Sequence, residues 1–161
     1  MSPDPLDRVR KILYWLEQHQ KTLAVAESVT GGRISSFITS IDGASKVYRG
    51  GVCTYQDGSK ESLLEVPSSL LAQQSAVSEG VARAMARGAQ KIFSSDVALS
   101  TTGYAGPTGP DGEVGLLWCA VCVAKREQTF TAKLQGTRME RQAAFSELAL
   151  KWLWEALLHV D

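Results

Sequence analysis

The sequence predicts an α/β layered domain built around a mixed β-sheet. Short apolar runs rich in β-branched residues alternate with segments whose apolar residues recur at helical spacing. Glycine-rich turns join several of these segments. The last two strand-like runs follow each other closely, and such a hairpin adds antiparallel strands to the sheet. The length of 161 residues corresponds to one domain, spanning residues 1–161.

The elements are predicted from these patterns in chain order. Gly50 and Gly51 within one strand permit a bulge or a close backbone approach. Ser78 is the expected N-cap of the longest central helix. The predicted elements are a helix at 5–20, a strand at 23–27, a helix at 31–41, a strand at 47–55, short helices within 56–66 and from Pro67, a helix at 75–93, strands at 96–102, 114–124 and 128–136, and a helix at 138–158.

Charge and hydropathy exclude several classes of partner. Lys plus Arg and Asp plus Glu number 17 each, so there is no overall field to attract nucleic acid or an anionic membrane. No apolar run of about 18 residues is present, and the first residues lack the apolar core of a signal peptide. We therefore expect a cytoplasmic protein with no membrane or nucleic-acid partner.

The cysteines and histidines restrict the possible chemistry. Cys119 and Cys122 form a CxxC motif, but they lie in a predicted buried strand, where residues three apart point to opposite faces. No second motif completes a metal site, so we expect neither a metal nor a cofactor. The only histidines, His19 and His159, lie near the ends of the terminal helices, and the chain has no Asn. A hydrolytic site would therefore need a base other than histidine.

Polar residues concentrate in four loops that follow strands or join strands to helices, where ligands bind in α/β domains. In the first, AESVTGG at 26–32, backbone N–H groups at the helix start could hold an anion. Simple capping of that helix by Ser28 or Thr30 is the alternative, and the stretch alone favours it. The loop at 101–110 could approach a ligand closely or form an ordered turn. Arg138 and Arg141 could bind a phosphate or only solvate a helix face.

A serine nucleophile without histidine needs another group to take its proton, and a buried lysine can do this. Ser45 with Lys60, and Tyr55 as a proton relay, would supply such a set. Their spacing does not match a helical Ser-x-x-Lys motif, so the pair would form only through tertiary contact. The alternative is a surface hydroxyl and a solvated charge.

Taken together, the motifs resemble the CinA C-terminal domain family, whose members include nicotinamide mononucleotide amidohydrolases. The matching segments are AESVTGG at 26–32, GAS at 43–45, GGVCTYQDGSK at 50–60, SAVSE at 75–79, TGYAGP at 102–107 and GTR at 136–138. The resemblance covers residues 6 to 158, nearly the whole chain.

The resemblance implies a three-layer α/β/α sandwich with a mixed, mostly parallel sheet, usually in a homodimer. It also implies hydrolysis of nicotinamide mononucleotide to nicotinate mononucleotide and ammonia without a metal. By matching position, Ser45 would be the nucleophile, Lys60 the general base and Tyr55 its partner. The residues implied to bind the substrate are Ser28, Thr30, Gly31, Gly32, Thr102, Gly103, Gly106, Arg138 and Arg141.

The sequence departs from the family pattern at Val29, Ala44, Lys46 and Thr137. The family has cysteine, serine, a small apolar residue and aspartate at these positions. Because several of these positions lie in the implied site, the alternative is an inactive relative that binds a nucleotide or a protein partner. The apolar breadth of the last helix, with Trp152 and Trp154, fits burial against a second chain as well as packing on its own sheet.

Overall fold

The structure is a computed structural model that describes residues 4–160. These residues form the elements that the sequence predicts, in the predicted order. The bounds are α1 Pro5–Gln18, β1 Leu23–Glu27, α2 Arg33–Thr39, a 3₁₀ turn at Ala44–Lys46, β2 Tyr48–Cys53, α3 Asp57–Leu64, α4 Ser68–Gln74, α5 Glu79–Phe93, β3 Val97–Gly103, β4 Leu116–Val123, β5 Arg126–Lys133 and α6 Arg138–Leu158.

The five strands form one sheet in the order β2-β1-β3-β4-β5. Strand β1 pairs in parallel with β2 and β3, whereas β4 pairs antiparallel with β3 and β5. Four strands therefore run in one direction and only β4 is reversed, which confirms the mixed, mostly parallel sheet and the β4–β5 hairpin. Because β1, β2 and β3 are parallel, their carboxyl ends meet at one edge of the sheet.

Helices cover both faces of the sheet, which confirms the three-layer α/β/α architecture. One face, with Leu23 and Val25 of β1, forms a core with α1, α2 and α6. The other face is made of small residues, including Ala24 and Ala26, and it packs mainly against α5. Close packing extends to Gly88 of α5, where a Cβ atom would lie 2.2 Å from the Leu64 carbonyl oxygen.

The packing explains the residues that the sequence singled out in these elements. Cys119 joins one core and Cys122 the other, so the CxxC thiols are packing groups on opposite faces of β4. The register of β1 on β2 shifts at Leu23/Ala24, which is the predicted bulge. A Cβ atom at Gly51 would lie 2.9 Å from the Val25 carbonyl oxygen, so a close backbone approach also occurs.

The helix ends follow ordinary capping chemistry. The Ser78 side chain accepts a hydrogen bond from the Val81 N–H, as predicted for an N-cap. Thr137 and Glu140 form a reciprocal capping box at the start of α6, so the threonine at this position caps the helix. In the described part of the chain, no helix has the length and apolar character needed to cross a membrane.

Candidate active site

A cleft of about 260 Å³ opens at the carboxyl ends of β1, β2 and β3. Ligands of α/β sheets bind at this edge, where loops leave the parallel strands. The cleft is polar at its floor and is covered on one side by the loop that follows β3. Its lining includes Ser28, Val29, Tyr55, Asp57, Lys60, Thr102, Gly103, Tyr104, Gly106 and Arg138.

Lys60 lies at the floor of this cleft, and only 1% of its surface is exposed. It sits near the start of α3, and its Nζ donates to Ser28 Oγ at 3.1 Å and to the Thr54 carbonyl oxygen at 2.8 Å. Burial lowers the pKa of Lys60, whereas the nearby Asp57 carboxylate and Cys53 thiol counteract that effect. A lysine with a lowered pKa can accept the proton of the hydroxyl it contacts.

Ser28 is the first residue after β1 and its hydroxyl faces Lys60 across the cleft floor. Its backbone N–H donates to the Thr101 carbonyl oxygen at 3.0 Å, and its own carbonyl oxygen accepts from the Gly31 N–H at 3.1 Å. The next residue, Val29, is buried, and its N–H donates to no acceptor within residues 4–160. The turn thus presents a hydroxyl next to a lysine amine, followed by a backbone N–H that no acceptor within residues 4–160 occupies.

The side-chain carboxylate of Glu27, the last residue of β1, lies at the start of α2. This position corrects two expectations for the first loop. Its carboxylate accepts hydrogen bonds from Thr30 Oγ1, Ile34 N, Ser35 N and Ser35 Oγ at 2.7–3.0 Å. The anion at this helix start is therefore the chain's own carboxylate, and neither Ser28 nor Thr30 caps α2. A carboxylate accepts several charge-assisted hydrogen bonds at once, which a hydroxyl cannot do.

The remaining residues of this loop form the turn behind Ser28. Thr30 is fully buried and bonded to Glu27 and Thr101, and Gly31 and Gly32 adopt the positive φ values of 60° and 95°. They shape the turn that carries Ser28, and the structure does not bring them into the lining of the cleft.

Tyr55 and Arg138 bridge the mouth of the cleft. The Arg138 guanidinium donates to the Tyr55 hydroxyl at 2.6 Å and to the Gly106 carbonyl oxygen at 2.8 Å. The predicted relay from the Tyr55 hydroxyl to Lys60 is absent, because the bond between these two residues runs from Lys60 Nζ to the Tyr55 carbonyl oxygen at 3.4 Å. Tyr55 is 58% exposed, so this bridge faces solvent.

The loop after β3 supplies the other wall. Thr102, Gly103 and Gly106, which the sequence assigns to substrate binding, line the cleft. Arg141 does not: it donates to the carbonyl oxygens of Ala105 and Leu134, at 3.0 and 3.1 Å, and supports the loop from behind. The structure therefore does not bring Arg141 into the lining of the cleft.

Ser45 lies at the opposite end of the sheet, so its predicted pairing with Lys60 is wrong. Ser45 precedes β2 and Lys60 follows it, and a six-residue strand is about 20 Å long. Ser45 lines a separate groove of about 480 Å³ together with Tyr48 and Arg49. Strand direction could have given the correct partner: parallel β1 and β2 bring Ser28 and Lys60 to the same edge.

Two of the departures from the family pattern also lie away from the cleft. Ala44 is buried in the core on the α1 side, and Lys46 forms a surface ion pair with Glu17 at 3.2 Å. Neither residue contacts the Ser28–Lys60 pair. Across residues 4–160, no group of three or more His, Cys, Asp or Glu side chains is placed to hold a metal ion.

Fold and cleft together define a class of protein: a three-layer α/β/α domain with a serine and a buried lysine where its parallel strands end. The CinA C-terminal domain model matches residues 7–157, and the chain belongs to that family.

Relatives and solved structures agree with this assignment. A CinA-like protein of Chlorobium phaeovibrioides is 42% identical over 156 residues, covering 91% of this chain and 36% of that protein. A CinA-like protein of Geobacter sulfurreducens is 43% identical over 139 residues, with coverages of 85% and 34%. The chain therefore spans about a third of the length of these curated relatives.

The solved structures match over nearly their whole length. The competence damage-inducible protein A (ComA) of Klebsiella pneumoniae superposes with a TM-score of 0.95 at 29% identity, covering 98% of this chain and 99% of that one. A CinA superfamily protein of Escherichia coli gives 0.91 at 31% identity, with coverages of 96% and 90%.

Proposed function

We propose that this chain is an amidohydrolase that converts nicotinamide mononucleotide to nicotinate mononucleotide and ammonia. The observation that supports the proposal most is the 3.1 Å contact between the buried Lys60 amine and the Ser28 hydroxyl at the floor of a cleft. Amide hydrolysis needs an activated nucleophile, a stabilised oxyanion and a proton for the departing amine. The residues around Ser28 can supply all three.

In the acylation half of the reaction, neutral Lys60 takes the proton of Ser28 while Oγ attacks the carboxamide carbon. The Val29 N–H then stabilises the negative oxygen of the tetrahedral intermediate. Protonated Lys60 gives its proton to the amide nitrogen, the C–N bond breaks, and ammonia leaves. The product at this stage is an ester between Ser28 and the nicotinoyl group.

Hydrolysis of that ester restores the enzyme. Lys60 takes a proton from a water molecule, the resulting hydroxide attacks the ester carbon, and the Ser28 oxygen leaves with the proton from Lys60. The carbonyl oxygens of Thr54 and Tyr55 accept hydrogen bonds from Nζ and hold the amine in position through both halves. Substrate phosphate is assigned to Arg138, whose guanidinium lies at the cleft mouth and is held there by the Tyr55 hydroxyl.

The test is ammonia release from nicotinamide mononucleotide, comparing Ser28→Ala with Ser45→Ala. We expect the loss of the nucleophile to reduce kcat by a factor of about 10³ or more, whereas Ser45→Ala stays within about twofold of wild type. Melting temperatures of both variants check that folding is intact. No ammonia release by the wild-type protein would refute the proposed activity, and full activity of Ser28→Ala would refute the nucleophile.

We further propose that the protein is a cytoplasmic homodimer associated through the α1–α6 side. Tyr14 and Leu158 are 66% and 55% exposed there, and Trp152 and Trp154 are only partly covered by the core. Sedimentation velocity at two concentrations is expected to show a species of twice the 17.4 kDa chain mass. A monomer at every concentration would contradict the dimer, and recovery outside the cytoplasmic fraction of cells would contradict the location.

A further inference from the structure

The first turns of α6 contact both loops that form the cleft. Arg138 and Arg141 donate to the carbonyl oxygens of Gly106 and Ala105, on the loop after β3. One turn beyond Arg138, Gln142 Nε2 donates to the Val29 carbonyl oxygen at 3.2 Å, on the loop after β1. One helix end therefore holds both walls of the cleft.

Gln142 is 8% exposed, which is unusual for a polar side chain this close to a hydrophobic core. A buried amide costs stability unless its hydrogen-bonding groups find partners, and the Val29 carbonyl oxygen is the acceptor for its N–H. The bond reaches across 113 residues of sequence. Its effect is to attach α6 to the residue that follows Ser28.

Fixing this carbonyl also fixes the peptide plane beyond Val29. The carbonyl oxygen of Ser28 is held in turn by the Gly31 N–H, so both peptide groups that flank Val29 are anchored through their oxygens. Because a peptide unit is planar and trans, the direction of each N–H is set once its C=O is held. The Val29 N–H, which we assign to the oxyanion, shares its peptide plane with the Ser28 carbonyl group. The bond from Gly31 therefore sets its direction, and the bond from Gln142 anchors the other side of Val29.

The side chain of Val29 is held by the same helix. Val29 belongs to a small buried cluster with Ala105, Leu117 and Phe145, and Phe145 lies three residues beyond Gln142 on α6. Its branched apolar side chain therefore shares an apolar cluster with Phe145, while its backbone is bonded to Gln142. Both contacts restrict how far the Ser28 turn can move relative to the loop after β3.

We propose that Gln142 is a positioning residue for amide hydrolysis: it anchors the Val29 end of the Ser28–Val29 turn and so keeps in place the Val29 N–H, whose direction the Gly31 bond sets. This role rests on the proposed function. Gln142 does not line the cleft, and it acts through Val29 alone. Its loss therefore reduces the stabilisation of the transition state more than it reduces the affinity for the substrate.

The test variant is Gln142→Met, which keeps the length of the side chain and removes the donor. Its matched control is Ser146→Ala, on the same helix, which removes a buried hydrogen bond to the Gln142 carbonyl oxygen without touching either loop. For Gln142→Met we expect kcat to fall about 10- to 100-fold with KM within about twofold. We also expect faster hydrogen exchange of the Ser28 and Gly31 amides. Both readouts stay near wild type in the control.

The outcomes separate the positioning role from the activity itself. Unchanged exchange in Gln142→Met, or an unchanged kcat with faster exchange, overturns the inference. If wild type releases no ammonia, the proposed function fails, whereas the exchange measurement still decides whether Gln142 holds the turn. Gln142→Leu, with the same expected results, replaces Gln142→Met if the latter melts far below wild type.

Discussion

Each end of the β-sheet has a loop serine and a lysine beside a surface depression, yet only one end pairs its serine with a buried lysine. At the amino end of β2, Ser45 is exposed, and the Lys46 side chain is 64% exposed and paired with Glu17. At the carboxyl end, Lys60 is 1% exposed and bonded to Ser28. The groove at the amino end is the larger of the two, at about 480 Å³ against about 260 Å³.

The difference shows that burial and a fixed partner, more than residue type or groove size, set Lys60 apart from Lys46. Water stabilises an exposed ammonium, so it holds its proton strongly. Lys60 loses that stabilisation, and its pKa falls for that reason.

Lys60→Met should abolish most of the activity while Lys46→Met leaves it unchanged. Removing the base is expected to lower kcat by a factor of about 10³, within the range for general acid–base catalysis. Methionine has a similar volume and carries no charge to bury, so the folded state should be at least as stable as wild type. Ammonia release and denaturant unfolding measure the two effects. Equal activity of the two variants would remove the distinction between the two ends of the sheet.

The same pair of variants tests how the burial of Lys60 makes the free energy of unfolding depend on pH. The pKa of Lys60 lies below its ordinary value of 10.5 in the folded state, so the unfolded chain binds the proton more strongly. Burial of a protonated Lys60 therefore costs stability at low pH, and stability rises between the lowered pKa and 10.5. This contribution should disappear in Lys60→Met and persist in Lys46→Met. An identical pH dependence of unfolding in both variants would contradict it.

Asp57→Asn should move the pH dependence of the activity without removing it. Asp57 lines the cleft at the start of α3, and its charge raises the pKa of Lys60 against the effect of burial. Without that charge, the pKa of Lys60 falls further. The rising limb of the pH–rate profile of kcat then moves to lower pH, while its plateau stays within about threefold of wild type. Asp57→Glu keeps the charge and serves as control, and a limb that moves equally in both variants would exclude a charge effect.

Thr137→Ala should have the smallest effect, a loss of about 1 kcal/mol of stability, typical for an N-cap. Thr137→Asp should restore that stability, since aspartate accepts the same hydrogen bond and suits the helix dipole. Thermal unfolding checks both. If Thr137→Asp were as unstable as Thr137→Ala, the capping box would not explain why threonine replaces the family's aspartate at this position.

The order of the elements could be predicted because it depends on local patterns. Alternating and helical spacing located the strands and helices, the closely spaced last runs indicated the β4–β5 hairpin, and Ser78 marked the start of α5. The cysteines were predicted to pack on opposite faces from their spacing within a strand, and they do. These are properties of residues that are near each other in the chain.

The pairing of Ser28 with Lys60 depends instead on strand direction. Ser45 is closer to Lys60 in sequence, but a whole strand separates them, whereas parallel β1 and β2 bring Ser28 to Lys60 across 32 residues. The role of Glu27 was missed because hydroxyl residues are the usual caps, and the sequence does not show that a buried carboxylate folds back onto the helix start. Gln142 gave no local signal either, because its acceptor is on a distant loop.

Glu27 also sets the direction in which a nucleotide can lie in the cleft. Many α/β proteins bind a phosphate at the turn after their first strand, where the helix start supplies N–H donors. Here Glu27 has taken those donors, and a phosphate placed there would meet a buried negative charge. The proposed nucleotide substrate would therefore enter amide first, with its ring and carboxamide toward Ser28 and its phosphate outside, beside Arg138.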